Sequence, residues 1–252
     1  MSGSEPGSAP CHAHEGWLLT PEAAAIRPDA ATAVVADVHL GYEWARGDAG
    51  DCVPAHSLAE TVDRLERLLA RAEIQTLIVA GDLVESSRPC AATAADVFRI
   101  NDWLHARGVE LVVVPGNHDR GLPWICSRRP KGAAPGPIVA PAELGVADWT
   151  ICHGHRPSRG DRVVMGHHHP ALIVGRVAAP CFLIGPRLIV LPAFSPNAAG
   201  RDVATTKRPN AWKDQDLRCV AGGGGDLLDF GSVATLAARI GGRRIDPPCA
   251  ST

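Results

Sequence analysis

The chain has 252 residues, 46% of them hydrophobic and only 4% aromatic, with a formal net charge of −2. That composition allows a full apolar core, in one large α/β domain or two small ones, packed with Ala, Val, Leu and Ile more than with rings. The charge points to no particular partner, and no apolar run approaches the roughly 18 residues a membrane-spanning helix needs.

Residues 1–16 are rich in Gly, Ser, Pro and Ala and lack the apolar stretch of a secretion signal. They are expected to be a disordered tail, with residues 17–252 forming one domain in a cytoplasmic protein without a membrane partner. His12 and His14 belong to that tail. From Thr32 onward, apolar runs alternate with helical periodicity. Val34 and Val35 lead into Asp37; Leu77, Ile78 and Val79 lead into Asp82; Leu111 to Val114 lead into Asn117. Continuous apolar runs of this kind suit strands buried on both faces. Between the first two, Leu58, Val62, Leu65, Leu68 and Leu69 mark one face of an amphipathic helix. Between the second and third, Val97, Ile100 and Leu104 repeat the period, and Gly108 is placed to end that helix. The pattern is β-α-β-α-β, hence a parallel sheet with right-handed crossovers, whose ligands gather at the carboxyl ends of the strands.

Helix signals then disappear. Trp149 to Cys152, Arg162 to Met165, Ala171 to Val174, Cys181 to Ile184 and Arg187 to Leu191 read as short strands of a second, mixed or antiparallel sheet packed on the first. Past Phe194 the pattern fades: Lys207–Asp216 and Gly222–Gly225 read as loop, and a short helix is expected around Val233–Ile240. The eight cysteines are scattered without a CxxC pair, and Cys152 reads as a small buried apolar residue. Between Arg120 and Val164 lie seven basic residues (Arg120, Arg128, Arg129, Lys131, Arg156, Arg159, Arg162) against Glu143, Asp148 and Asp161. They make either a solvated loop or a rim that attracts phosphate.

Five segments carry the chemistry, each placed just past an apolar run: Asp37-Val38-His39, Gly81-Asp82, Gly116-Asn117-His118-Asp119, His153-Gly154-His155 and Gly166-His167-His168-His169. Carboxylates, an amide and imidazoles together suit a pair of divalent ions. Two such ions can clamp the attacking and leaving oxygens of a phosphate ester, and a water they share titrates near neutral pH. In an extended segment His168 alternates away from its neighbours and should point off the site.

In this order the five segments resemble the calcineurin-like metallophosphoesterases, over about Thr32 to Asp202. The stretches Ala36–Glu43, Gly166–Pro170 and Leu191–Pro196 look like a smaller group, related to SbcD-type nucleases and to a phosphoesterase associated with DNA-ligase repair operons. The resemblance implies a four-layer α/β/β/α sandwich of two mixed sheets and two divalent metal ions, Mn²⁺ or alternatively Fe²⁺ or Zn²⁺. By the same resemblance Asp37, His39 and His169 would bind the first ion and Asn117, His153 and His167 the second, with Asp82 bridging. His118 would protonate the leaving oxygen, and Asp119 would orient His118. The implied activity is hydrolysis of phosphodiesters in nucleic acid or nucleotides. A phosphomonoesterase acting on a small molecule, or a non-catalytic scaffold with a metal site, is the alternative. Arg46, Arg120, His155 and Arg156 are candidate contacts to substrate phosphate. Tyr42 and Trp44 offer either a stacking surface for a base or a loop anchor.

Overall fold

The three long apolar runs form the parallel strands their composition calls for. A computed structural model describes residues 11–206, 209, 212, 215–223 and 226–241. In it β4 (Thr32–Val35), β5 (Thr76–Ala80) and β6 (Glu110–Val114) pair in parallel. Between them run α1 (Tyr42–Asp48), α2 (Ser57–Leu69) and α3 (Ala91–His105). Gly108, with φ of 73°, ends the turn after α3, and its N–H donates to the His105 carbonyl at 3.0 Å. On the far edge β7 (Ile138–Val139) joins β6, after a short α4 (Leu122–Ser127).

The amino-terminal side of this sheet differs from expectation. Three antiparallel strands precede β4: β1 (His12–His14), β2 (Trp17–Thr20) and β3 (Ala24–Arg27). Cys11 to Gly16 therefore belong to a hairpin and not to the disordered tail expected over residues 1–16; residues 1–10 lie outside the described residues. The hairpin closes through Glu15 and Gly16, with φ of 49° and 82°. A two-residue turn with both φ values positive matches the twist of the flanking strands.

The second sheet is built from β8 (Glu143–Val146), β9 (Trp149–Cys152), β10 (Val163–Met165), β11 (Pro170–Val174), β12 (Val177–Gly185), β13 (Leu188–Val190) and β14 (Arg201–Asp202). β15 (Arg218–Gly223) and β16 (Asp226–Ser232) extend it from β12, and α5 (Val233–Gly241) follows. Gly222 and Gly223, expected in a loop, instead close the β15–β16 ladder opposite Leu227 and Asp226. The centre of the sheet is parallel: β10 lies between β9 and β13, all three running the same way.

Strand alternation divides the core into layers. Ala33, Val35, Leu77, Val79, Leu111 and Val113 face α2 and α3, meeting Leu65, Leu68, Val97 and Leu104. Their alternating neighbours Val34, Ile78, Val112 and Val114 face the second sheet, meeting Trp149, Ile151, Val164 and Ile189. The opposite side chains of that sheet, among them Val163, Met165, Leu183, Leu188 and Val190, pack with Val233 and Leu236 of α5. The result is a four-layer α/β/β/α sandwich of two mixed sheets. No helix among the described residues is long and apolar enough to cross a membrane.

Candidate metal centre

All five segments converge where β4, β5, β6, β9 and β10 end. The loops there continue the sheet ladders: Asp37 N–H donates to the Gly81 carbonyl at 3.0 Å, His39 N–H to the Asp82 carbonyl at 3.0 Å, and Gly166 N–H to the His153 carbonyl at 3.1 Å. Phe194 and Ser195 lock the exit of β4 from the other sheet, donating to the carbonyls of Ala36 and Asp37 at 2.8 and 3.0 Å. Glycine is required where these loops cross. A Cβ on Gly81 (φ 86°) would lie 2.1 Å from His153 Nδ1, and one on Gly116 would lie 2.1 Å from Asp82 Oδ1.

Asp37, His39, Asp82, His167 and His169 are themselves left-handed, with φ of 56°, 53°, 51°, 69° and 42°. They are five of the nine non-glycine residues with positive φ among those described. The conformation costs up to about 1–2 kcal/mol per residue. Five such positions amount to a sizeable part of the 5–15 kcal/mol by which a typical domain is stable. Strain on this scale, gathered at one edge of the fold, marks a site kept for its chemistry.

The side chains fall into two groups, Asp37–His39–His169 and Asp82–His153–His167, each with ligand atoms within 4.8 Å of one another. In the second group His153 Nδ1 donates to the Ala80 carbonyl at 3.1 Å, which turns the Nε2 lone pair inward. Nε2 then faces Asn117 Oδ1 at 3.1 Å, Asp82 Oδ2 at 3.2 Å and His167 Nδ1 at 3.2 Å. Four electron-rich atoms meet at one point, an arrangement that calls for positive charge. A proton on Nε2 relieves part of it: burial lowers the basicity of His153, but Asp82 and Asp37 outweigh burial and its pKa is raised. Burial likewise pushes the Asp82 carboxyl up, while His153 and the His118 amide hold it down to about 2.

In the first group Asp37 Oδ2 accepts the His167 N–H at 2.8 Å, but buried Oδ1 has no hydrogen bond and lies 3.2 Å from His169 Nε2. Neither ring nitrogen of buried His39 is hydrogen-bonded. Its Nδ1 lies 2.9 Å from Glu85 Oε2, yet off the N–H axis, so the contact is electrostatic and not a directed hydrogen bond. Buried polar atoms are rarely left in this state. Mixed carboxylate, amide and imidazole donors at two adjacent points fit a pair of divalent ions.

His118 lies beside both groups. Its N–H donates to Asp82 Oδ1 at 2.9 Å and its Nδ1–H to the Glu85 carbonyl at 2.5 Å, leaving Nε2 free 3.9 Å from Asp82 Oδ2. Asp119, expected to orient His118, is bonded elsewhere. The Asp119 carboxylate accepts from the Val84 N–H at 3.2 Å and the Gly116 N–H at 2.8 Å, tying the β5 and β6 loops together, while Glu85 orients His118. Burial raises the Asp119 pKa. Glu85 was missed in the sequence; its only signal is a place three residues after Asp82, in a loop with no apolar period.

The remaining candidates divide. Arg46 is paired with Asp51 at 2.5 Å, away from the centre, and Trp44 donates through Nε1 to Asp96 Oδ2 at 2.7 Å, a loop anchor. Arg120 and Arg156 both lie close enough to His155 to depress its basicity, behind the larger effects of burial and His153. Elsewhere in the basic stretch, Arg162 pairs with Glu15 and Asp148, and Arg128 covers the Trp124 ring. His168 turns off the site onto Trp212, ring centroids 4.4 Å apart. Cys152 is buried, its thiol pushed up to about 11.

Fold and site together define a hydrolase of the metallophosphoesterase class. Residues 31–173 match the family model of the calcineurin-like phosphoesterases, and the chain belongs to that family. The chain is 32% identical over 126 residues to the DNA double-strand break repair protein Mre11 of Methanopyrus kandleri, a match covering 50% of this chain and 25% of that protein. The chain thus spans about a quarter of that relative's length. The crystal structure of the Pseudomonas putida nuclease MPE superposes with a TM-score of 0.63 at 25% identity, covering 87% of this chain and 100% of that one.

Proposed function

We propose that the protein is a dinuclear-metal phosphodiesterase acting on nucleic acid or nucleotide diesters, in the cytoplasm, with Mn²⁺ as its ion. The observation that carries this reading is the pair of adjacent ligand clusters, in the first of which buried Asp37 Oδ1 and both ring nitrogens of His39 have no hydrogen bond. Two ions held there would supply Lewis-acid charge for the phosphoryl oxygens and a place to activate water. Asp37, His39 and His169 would hold one, Asn117, His153 and His167 the other, with Asp82 as the carboxylate shared between them. His118 has its Nδ1 proton committed to the Glu85 carbonyl, so Nε2 is the atom that passes a proton to the leaving oxygen. Arg120 and Arg156 draw the phosphate toward this edge. No protein nucleophile is needed, and Cys152, the thiol nearest in sequence, is buried and protonated. The nucleic-acid part of the reading is supported by the names of the relatives, a repair protein and a nuclease.

The test is hydrolysis of bis-p-nitrophenyl phosphate and p-nitrophenyl phosphate by metal-stripped protein resupplied with Mn²⁺. Preference for the diester is expected. Preference for the monoester would keep the metal centre and sink the phosphodiesterase, and activity on neither would favour a non-catalytic scaffold.

Glu85 gives a second expectation. Its carboxylate lies 2.9 Å from His39 Nδ1, a place from which an outer carboxylate can steady a metal-binding imidazole. Glu85→Ala is expected to weaken binding of one of two Mn²⁺ ions by about 10–100-fold in a calorimetric titration. Glu85→Gln, which keeps an acceptor there, should lose less. Two ions bound with unchanged affinity in the alanine variant would remove Glu85 from this role.

A further inference from the structure

A cleft of about 450 Å³ adjoins the metal centre on the outer side of the second sheet. Its floor is Val163, Met165 and Leu188, and Trp212 stands in its wall with His168 edge-on against it. It runs along β10, whose carboxyl end delivers His167 to the centre and whose other end pairs Val163 with Leu188. His155 and Arg156 therefore stand at the metal end and Arg187 at the far end, about 7 Å along the strand. One carboxylate, Asp161, also lines it.

Several polar groups around this apolar floor have no partner among the described residues. Among the described residues neither guanidinium, of Arg156 or of Arg187, has a hydrogen bond or an ion pair. His155 Nδ1 and Gln215 Oε1 are buried without a partner, and both residues line the cleft. His155 also packs on the rings of His153 and His167, with centroids 5.2 and 6.2 Å away, so it is a wall shared by cleft and metal centre. A flat apolar floor, an amide and a cation at each end are the complement of a nucleotide: a ring with hydrogen-bonding edges, carried between two phosphates. The volume lies within the range of small-molecule sites.

We infer that this cleft receives the nucleotide next to the scissile phosphate of a single-stranded polynucleotide, with Arg187 holding the phosphate farther from the metals. The inference rests on the phosphodiesterase reading and names the substrate class for that site. Arg187 is exposed and, among the described residues, has no hydrogen bond or ion pair to a metal-binding side chain, so it separates the two ideas. Binding of a fluorescein-labelled single-stranded DNA oligonucleotide to metal-free protein is followed by anisotropy at several salt concentrations. Hydrolysis of bis-p-nitrophenyl phosphate with Mn²⁺ is measured beside it. Arg187→Ala is expected to weaken oligonucleotide binding about 5–10-fold and to reduce the log–log salt slope by about 0.7, the loss of one phosphate contact. Arg187→Lys should keep the slope, and the small diester should be hydrolysed as by the wild type. Wild-type binding and slope in Arg187→Ala would overturn the inference, as would an equal fall on the small diester. A wild type that hydrolyses the small diester and binds no oligonucleotide would overturn the cleft and leave the phosphodiesterase standing. A wild type inactive on the small diester would overturn the phosphodiesterase itself.

Discussion

Replacing His118 by alanine is expected to lower turnover on the order of 10²–10⁴-fold while both ions stay bound. The side chain is not packed into either cluster: it is 38% exposed, and its ring meets the His39 ring only edge-on, centroids 5.4 Å apart. What Asp82 receives from residue 118 is the backbone N–H, which alanine keeps. The loss therefore falls on proton delivery to the leaving oxygen. It should be smaller for a substrate whose leaving group needs no proton, such as a nitrophenolate, than for an alkyl alcohol. Metal analysis and turnover on both kinds of diester check this. An alanine variant as active as the wild type on the alkyl ester would take His118 out of the mechanism, and one that loses metal would make it a ligand.

Asp82→Asn should act on the metals first. The carboxylate is buried, and its two oxygens are divided: Oδ1 takes the His118 amide and Oδ2 faces His153 Nε2. Asparagine can keep the first contact through its own Oδ1, so the loop should hold. It removes the negative charge that raises the pKa of His153 and that a cation needs. Metal binding is expected to weaken by more than tenfold, equivalent to more than about 1.4 kcal/mol. Turnover should fall on the order of 10²-fold or more, as when an electrostatic stabiliser is removed from an active site. Atomic-emission analysis after gel filtration gives the metal content and circular dichroism the fold. Two fully bound ions in a folded variant would show that Asp82 does not bridge.

Much of this was legible in the sequence because the ligands sit where an apolar run stops. Val35, Ala80 and Val114 end their strands, and Asp37, Asp82 and Asn117 follow within three residues. The fold class followed from the same runs and from the spacing of Leu65, Leu68, Val97 and Leu104. Hydrogen bonds between loops were not legible. The resemblance makes Asp119 the partner of His118, yet its carboxylate reaches backbone N–H groups of Val84 and Gly116. Nothing in a sequence announces that a backbone carbonyl, that of Glu85, will fix an imidazole 33 residues away. Arg46 is a candidate phosphate contact by the chemistry of its guanidinium, but on α1 it pairs with Asp51. His12–His14 was too short and too polar to read as a strand; its partner, Trp17–Leu19, supplies the apolar face.

Neither donor cluster belongs to one sheet. Asp37 and His39 leave β4, while His169 comes from beyond β10; Asp82 leaves β5, while His153 and His167 follow β9 and β10. A cation bound at either point would join chain segments more than a hundred or seventy residues apart, respectively, on opposite halves of the sandwich. Either half alone presents an incomplete set of donors, so affinity for the ion arises only after the halves have docked. An ion bound there would act as a rivet on the assembled fold, deepening the native basin without guiding the chain toward it.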